Sequence, residues 1–208
     1  MISARAALQA LREGNRRFTS ESGMQTGAST ARRRALLAAQ EPFAIILGCS
    51  DARVPAEIVF DQGLGDLFVI RVAGNIVAPS QVGSVEFAAE AFSTRLVVVL
   101  GHSRCGAIQA TLQQLVRPSR EQSRNLSSIV NRIRPAVEGL LERSPGADPA
   151  LLEQQAVRAN IRMSADHLRH GSEVLEELIH SDGLLVVGAE YSLDSGVVDF
   201  FDGVPPAD

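Results

Sequence analysis

Phe43-Ala44-Ile45-Ile46-Leu47 runs directly into Gly48-Cys49-Ser50-Asp51-Ala52-Arg53, and Leu96-Val97-Val98-Val99-Leu100 runs directly into Gly101-His102-Ser103-Arg104-Cys105-Gly106. Each apolar run is short, aliphatic and free of polar alternation. Such runs read as strands covered on both faces, as in a parallel sheet flanked by helices. Each is followed at once by a cysteine-bearing loop, and the chain has no other cysteine. In open α/β sheets, sites form beyond the carboxyl ends of the strands, where the strand order switches. If these two strands are neighbours, Cys49, His102 and Cys105 converge on one point.

The same pattern extends outward. Further strands are expected at Leu67–Val72, Leu184–Val187 and Val197–Phe201, each bounded by Gly, Asp or Pro. The segments between them are helical. Leu126, Ile129, Val130, Ile133, Val137, Leu140 and Leu141 keep helical spacing, with Pro135 an expected kink. Another helix covers about Leu151 to Leu168. After the break at Gly171-Ser172, Val174, Leu175, Leu178 and Ile179 form one more. The whole reads as a single α/β domain with a mostly parallel sheet. The first 40 residues read as helix, polar loop (Ser20 to Thr30) and helix, with Gly14 interrupting the apolar face of Ala7, Leu8 and Leu11. This arm, 1–40, has too few large apolar residues to fold alone. It is expected to pack on the 41–208 body or on a partner subunit.

One helix departs from simple amphipathicity. From Pro79-Ser80 onward, Val82, Val85, Ala89 and Phe92 form one stripe, while Phe87 points almost opposite at about 100° per residue. With small residues Ser84 and Ala91 nearby, a subunit interface is expected at Phe87.

Composition narrows the function. The 208 residues are 45% hydrophobic with a formal charge of −4, which argues against a nucleic-acid partner. The basic run Arg32-Arg33-Arg34 reads as a solvated helix face. No apolar run reaches the roughly 18 residues of a membrane span. The N-terminus lacks the apolar stretch of a secretory signal, so a cytoplasmic protein is expected. There thiols stay reduced, and a cysteine pair points to metal or catalysis rather than a disulfide.

Two thiolates and an imidazole with an open fourth position form the ligand pattern of a catalytic zinc. The alternative is a closed structural site, filled by Asp51 or by a distant histidine. Asp51 and Arg53 lie two residues apart, so in an extended stretch they share a face. A guanidinium there would hold Asp51 ionised and fix its orientation, best in a bidentate pair. Asp51 could then orient a hydroxide on the metal, or could itself ligate the metal. His167, His170 and His180 read as solvated, and no proton shuttle is identified.

Cys-Ser-Asp-x-Arg followed by Gly-His-Ser-x-Cys-Gly resembles the zinc signature of the β-class carbonic anhydrases. The resemblance runs from about Glu13-Gly14-Asn15-Arg16-Arg17-Phe18 to Gly188-Ala189-Glu190-Tyr191-Ser192-Leu193. It implies zinc on Cys49, His102 and Cys105, with Asp51–Arg53 as the family's dyad. It implies reversible hydration of CO2 to bicarbonate and a proton, by attack of a zinc hydroxide that the dyad orients. The implied fold has four parallel strands plus an added edge strand, built into dimers and often tetramers. Gln40 and Gly106 fall where one branch of the family hydrogen-bonds substrate. Phe68 and Ala73 fall at apolar cleft positions, and Phe87 matches an aromatic donated into the partner's cleft. Another branch binds regulatory bicarbonate with a Trp, an Arg and a Tyr. Arg71 and Tyr191 match that trio, but Ile46 stands at the Trp position and the chain has no Trp. Gln40 leans the reading towards an open, water-occupied zinc. Two other readings use the same residues: a hydrolase of a related heteroallene such as CS2, and a non-enzymatic zinc-stabilised dimer.

Overall fold

A computed structural model describes residues 2–23, 29–118, 123–143 and 146–206. The part of the expected polar loop at 24–28 lies outside them. In chain order the elements are α1 (Ala4–Thr19), α2 (Thr30–Ala35), β1 (Ala44–Gly48), α3 (Ala56–Val59) and β2 (Leu67–Arg71). After a 3-10 turn (Ala73–Asn75) come α4 (Pro79–Ala91), β3 (Leu96–His102), α5 (Gly106–Val116) and α6 (Arg124–Arg143). The chain ends with α7 (Pro149–His170), α8 (Glu173–Ser181), β4 (Leu185–Tyr191) and β5 (Val198–Asp202).

The strands form one sheet in the order β2-β1-β3-β4-β5. The first four are mutually parallel and β5 adds antiparallel to β4 at the edge. Every residue of β1 and β3 is buried, which is why neither run shows polar alternation. Alternate side chains feed two cores. Ile45, Leu47, Val97 and Val99 face the layer built from α4 to α8. Ala44, Ile46, Val98 and Leu100 face a second layer, which takes Ala7, Leu8 and Leu11 of α1 and Val59 of α3.

Two local readings change. The helix α1 runs unbroken through Gly14, where any Cβ would overlap the carbonyl of Phe60. The glycine is a point of close approach rather than an interruption. The helix α6 contains Pro135 within its span, at the position of the expected kink. β3 and β4 extend past their aliphatic runs, to His102 and Tyr191. Gly101 pairs with Glu190 and His102 with Tyr191, so the ladder continues where composition no longer signals a strand. Gly101 and Gly188 also form a notch. A Cβ on either would meet Ile161 of α7, at 2.5 and 2.8 Å, so α7 lies unusually close to the sheet.

The chain leaves β1 for the edge strand β2 and returns to β3 on the other side of β1. The switch point therefore falls between the carboxyl ends of β1 and β3.

Candidate metal centre and catalytic cleft

Cys49 follows the last residue of β1, His102 is the last residue of β3, and Cys105 precedes the first turn of α5. All three are buried at the switch point, and their ligand atoms lie within 4.8 Å of one another. The turn between His102 and Cys105 makes this possible. Arg104 adopts φ of +56°, reversing the chain so that both side chains face the same point. The turn is pinned to the end of β4: the Ser103 N–H donates to the Tyr191 carbonyl at 3.0 Å, the Leu193 N–H donates to Ser103 Oγ at 2.9 Å, and Arg104 pairs with Asp194 at 2.6 Å.

The donors suit zinc. His102 Nδ1 donates to the Ser103 carbonyl at 2.9 Å, which leaves Nε2 bare. That Nε2 is fully buried and has no hydrogen-bond partner. An orphaned buried polar atom costs about 1–3 kcal/mol, which a metal bond would offset. Two sulfurs and one imidazole nitrogen this close together are a donor set that would hold zinc. The two thiols face each other: the hydrogen bond from Cys105, with those from the Gly74 and Asp51 N–H groups, lowers Cys49 despite its burial, while the Cys49 sulfur and desolvation push Cys105 up.

Asp51 and Arg53 form the bidentate pair expected, by a different route. Residues 52 and 53 make a turn rather than an extended stretch. The Arg53 N–H bonds back to Asp51 Oδ1 at 3.0 Å, while Nε and Nη2 reach Oδ1 and Oδ2 at 2.9 and 2.7 Å. An Asp readily closes such a turn on its own backbone. Chiefly through the Arg53 hydrogen bonds, the Asp51 carboxyl is held well below the usual carboxylate range. Its Oδ2 stands 3.8 Å from His102 Nε2, beside the donor cluster. Arg53 also reaches the Arg104 carbonyl at 3.4 Å, joining the two loops.

Arg71 and Gly74 are supports whose contacts the sequence reading missed. Arg71 ends β2 opposite Gly48 and donates to the carbonyls of Cys49 and Asp51, at 3.1 and 2.6 Å. Its guanidinium thus clamps the backbone on both sides of Ser50. Gly74 donates its N–H to Cys49 Sγ at 3.3 Å. The register of β1 and β2 could have suggested Arg71; nothing in the sequence announces Gly74. Of the other positions matched to a regulatory trio, Ile46 is buried in β1 and Tyr191 lies at the end of β4, its ring 6.5 Å from that of Phe18.

The remaining expected cleft residues are not all gathered around the donor cluster. Gly106 begins α5 beside Cys105, and Ala73 begins the 3-10 turn that carries Gly74. Phe68 is half-buried on β2, with its ring 6.2 Å from Phe87 and 5.9 Å from Phe92. Phe87 and Phe92 meet edge-on at 5.6 Å. Phe87 is therefore the outermost member of an aromatic trio, 55% exposed, rather than an isolated ring on a back face. Gln40 is exposed and precedes the amino end of β1. The whole strand, about 16 Å at roughly 3.3 Å per residue, separates it from the cysteine of its own chain.

Comparison with known proteins agrees with this geometry. A family model described as carbonic anhydrase matches residues 44–198. Carbonic anhydrase 2 of Mycobacterium tuberculosis is 38% identical over 192 residues, covering 92% of this chain and 89% of that protein. Among solved structures, a β-carbonic anhydrase of the fungus Aspergillus fumigatus superposes with a TM-score of 0.75 at 24% identity, covering 97% of this chain and 92% of that one. One of two tetrameric β-carbonic anhydrases from Sordaria macrospora gives 0.71 at 23% identity, covering 81% and 85%. By the family match over most of its length, by its relatives and by its fold, this chain belongs to the β-class carbonic anhydrase family.

Proposed function

We propose that the protein catalyses the reversible hydration of CO2 to bicarbonate and a proton, with zinc held by Cys49, His102 and Cys105. One observation carries the reading: a buried donor set, with a bare His102 Nε2, has beside it a carboxylate whose two oxygens are both committed to Arg53. When bound, zinc supplies the Lewis acidity that makes water a nucleophile near neutral pH. Asp51, kept ionised and immobile by Arg53, accepts the hydrogen of the attacking oxygen and aims its lone pair at the carbon. The Gly106 N–H, at the amino end of α5, stabilises charge developing on a carboxylate oxygen of the product. The proton leaves to solvent buffer. Because Arg53 holds both of its oxygens, Asp51 would serve as a fixed acceptor rather than as a ligand to the metal.

The working unit in this reading is a homodimer or a tetramer. Gln40 lies at the opposite end of β1 from the centre of its own chain and Phe87 is half exposed, so a second copy would bring them to its cleft, beside Phe68 and Ala73. The helix α2 carries no buried side chain and Leu37 is 85% exposed, which supports residues 1–40 acting in part as an arm on a partner. No helix among the described residues is long and apolar enough to cross a membrane. A thiolate metal site favours a reducing, cytoplasmic setting.

Stopped-flow CO2 hydration on metal-quantified protein, from about pH 6 to about pH 9, tests the proposal. It expects about one zinc per chain and measurable hydration. Asp51→Asn should keep the zinc and lose about 100-fold or more in rate. Full zinc occupancy with no hydration at any pH would overturn it.

A further inference from the structure

The Gly74 N–H reaches Cys49 Sγ at 3.3 Å, beside the Asp51 N–H, and it does so from a left-handed conformation. Its φ is +71°, and Asn75 after it also lies in the left-handed region, at φ of +42°. Glycine enters this region freely and asparagine more readily than most residues, so which turn the pair adopts is set by its contacts. Gly74 itself has no alternative. A Cβ there would come within 2.8 Å of Ile133 and 3.0 Å of Ala107.

The imposed contact comes from α7. Asn160, 1% exposed, donates Nδ2 to the Gly74 carbonyl at 2.8 Å. The next residue, Ile161, is seated in the notch over Gly101 and Gly188, which sets how deeply α7 approaches the sheet. The Asn160 Oδ1 has no partner, nor has the buried Nδ2 of Asn75. A buried amide satisfied at only one end is a poor device for stability, since its orphaned oxygen costs roughly what its one hydrogen bond contributes.

We infer that Asn160 is a positioning residue for the metal centre: through the Gly74 carbonyl it holds the left-handed turn that aims the Gly74 N–H at Cys49 Sγ. The hydrogen bond to sulfur fixes the direction of that ligand and draws electron density from it. Outer partners of this kind typically change metal affinity by about 10- to 100-fold when removed. The inference rests on the zinc reading of Cys49, His102 and Cys105.

The test compares wild type with Asn160→Leu, which keeps the branched shape of the side chain and removes the donor. The readouts are the rate of zinc release to a chelator, the thiolate-to-metal charge-transfer absorption of the cobalt-substituted protein, and thermal unfolding of the metal-free protein. Zinc release about tenfold faster and a shifted cobalt spectrum are expected, with metal-free unfolding close to wild type. If Asn160→Leu does not fold, Asn160→Ser carries the same expectation, being smaller and too short to reach Gly74. Wild-type release and spectrum in a folded variant would overturn the inference. So would a fall in metal-free stability large enough to explain the loss, or failure of both variants to fold, since Asn160 would then be a support of the core. Wild type that binds no zinc would instead overturn the metal reading itself.

Discussion

The Asp51 carboxylate and the backbone around it are fixed by two arginines. Arg53 takes both carboxylate oxygens, and Arg71 holds the carbonyls of Cys49 and Asp51 at 3.1 and 2.6 Å. Arg71→Met keeps the aliphatic stem but frees that backbone. We expect a fall in kcat of about 10- to 100-fold with zinc content unchanged, read by stopped-flow hydration and metal analysis. Wild-type kcat would show that the loop holds its shape without the clamp. The pairing of Asp51 with Arg53 was legible because the two lie two positions apart. Its mechanism was not, because a turn and an extended stretch both bring such residues together. The contacts of Arg71 were hidden for another reason: it lies 22 positions from Cys49, and only strand register makes them neighbours.

At the scale of elements, the first helix is placed by a buried polar hub. Asn15 donates to the carbonyls of Val59 and Gly196 at 3.1 and 2.9 Å and accepts from the Val198 N–H at 2.8 Å. It thereby ties the first helix to the turn after α3 and to the start of β5. Asn15→Ala strands two buried backbone groups and one partly buried one, and should cost about 2–4 kcal/mol in denaturant unfolding. A loss under about 1 kcal/mol would mean that α1 is held by its apolar face alone. The helix itself was legible from the spacing of Ala7, Leu8 and Leu11. Its continuation through Gly14 was not, because a packing glycine and a helix break look alike until the carbonyl of Phe60 is in place.

For the whole molecule, the exposed Phe87 and Gln40 set the assembly prediction. Burying a phenylalanine contributes roughly 1.5–3 kcal/mol, so Phe87→Ala should weaken subunit association by about 10- to 150-fold, measured by sedimentation equilibrium. An unchanged association constant would leave Phe87 as the solvent-facing edge of its aromatic trio. Read alone, the sequence determined the layered α/β architecture, the parallel strands and the donor residues, because periodicity and residue chemistry are local properties of the chain. Tertiary structure alone decided that β1 and β3 are neighbours and that Arg71 and Gly74 support Cys49. It also decided that Asn160 reaches across from α7, and that Gln40 sits a strand's length from its own cysteine. Those facts depend on register, on the notch at Gly101 and Gly188, and on left-handed backbone at Gly74, Asn75 and Arg104. Each is set by contacts between segments far apart in the chain, which local pattern does not encode.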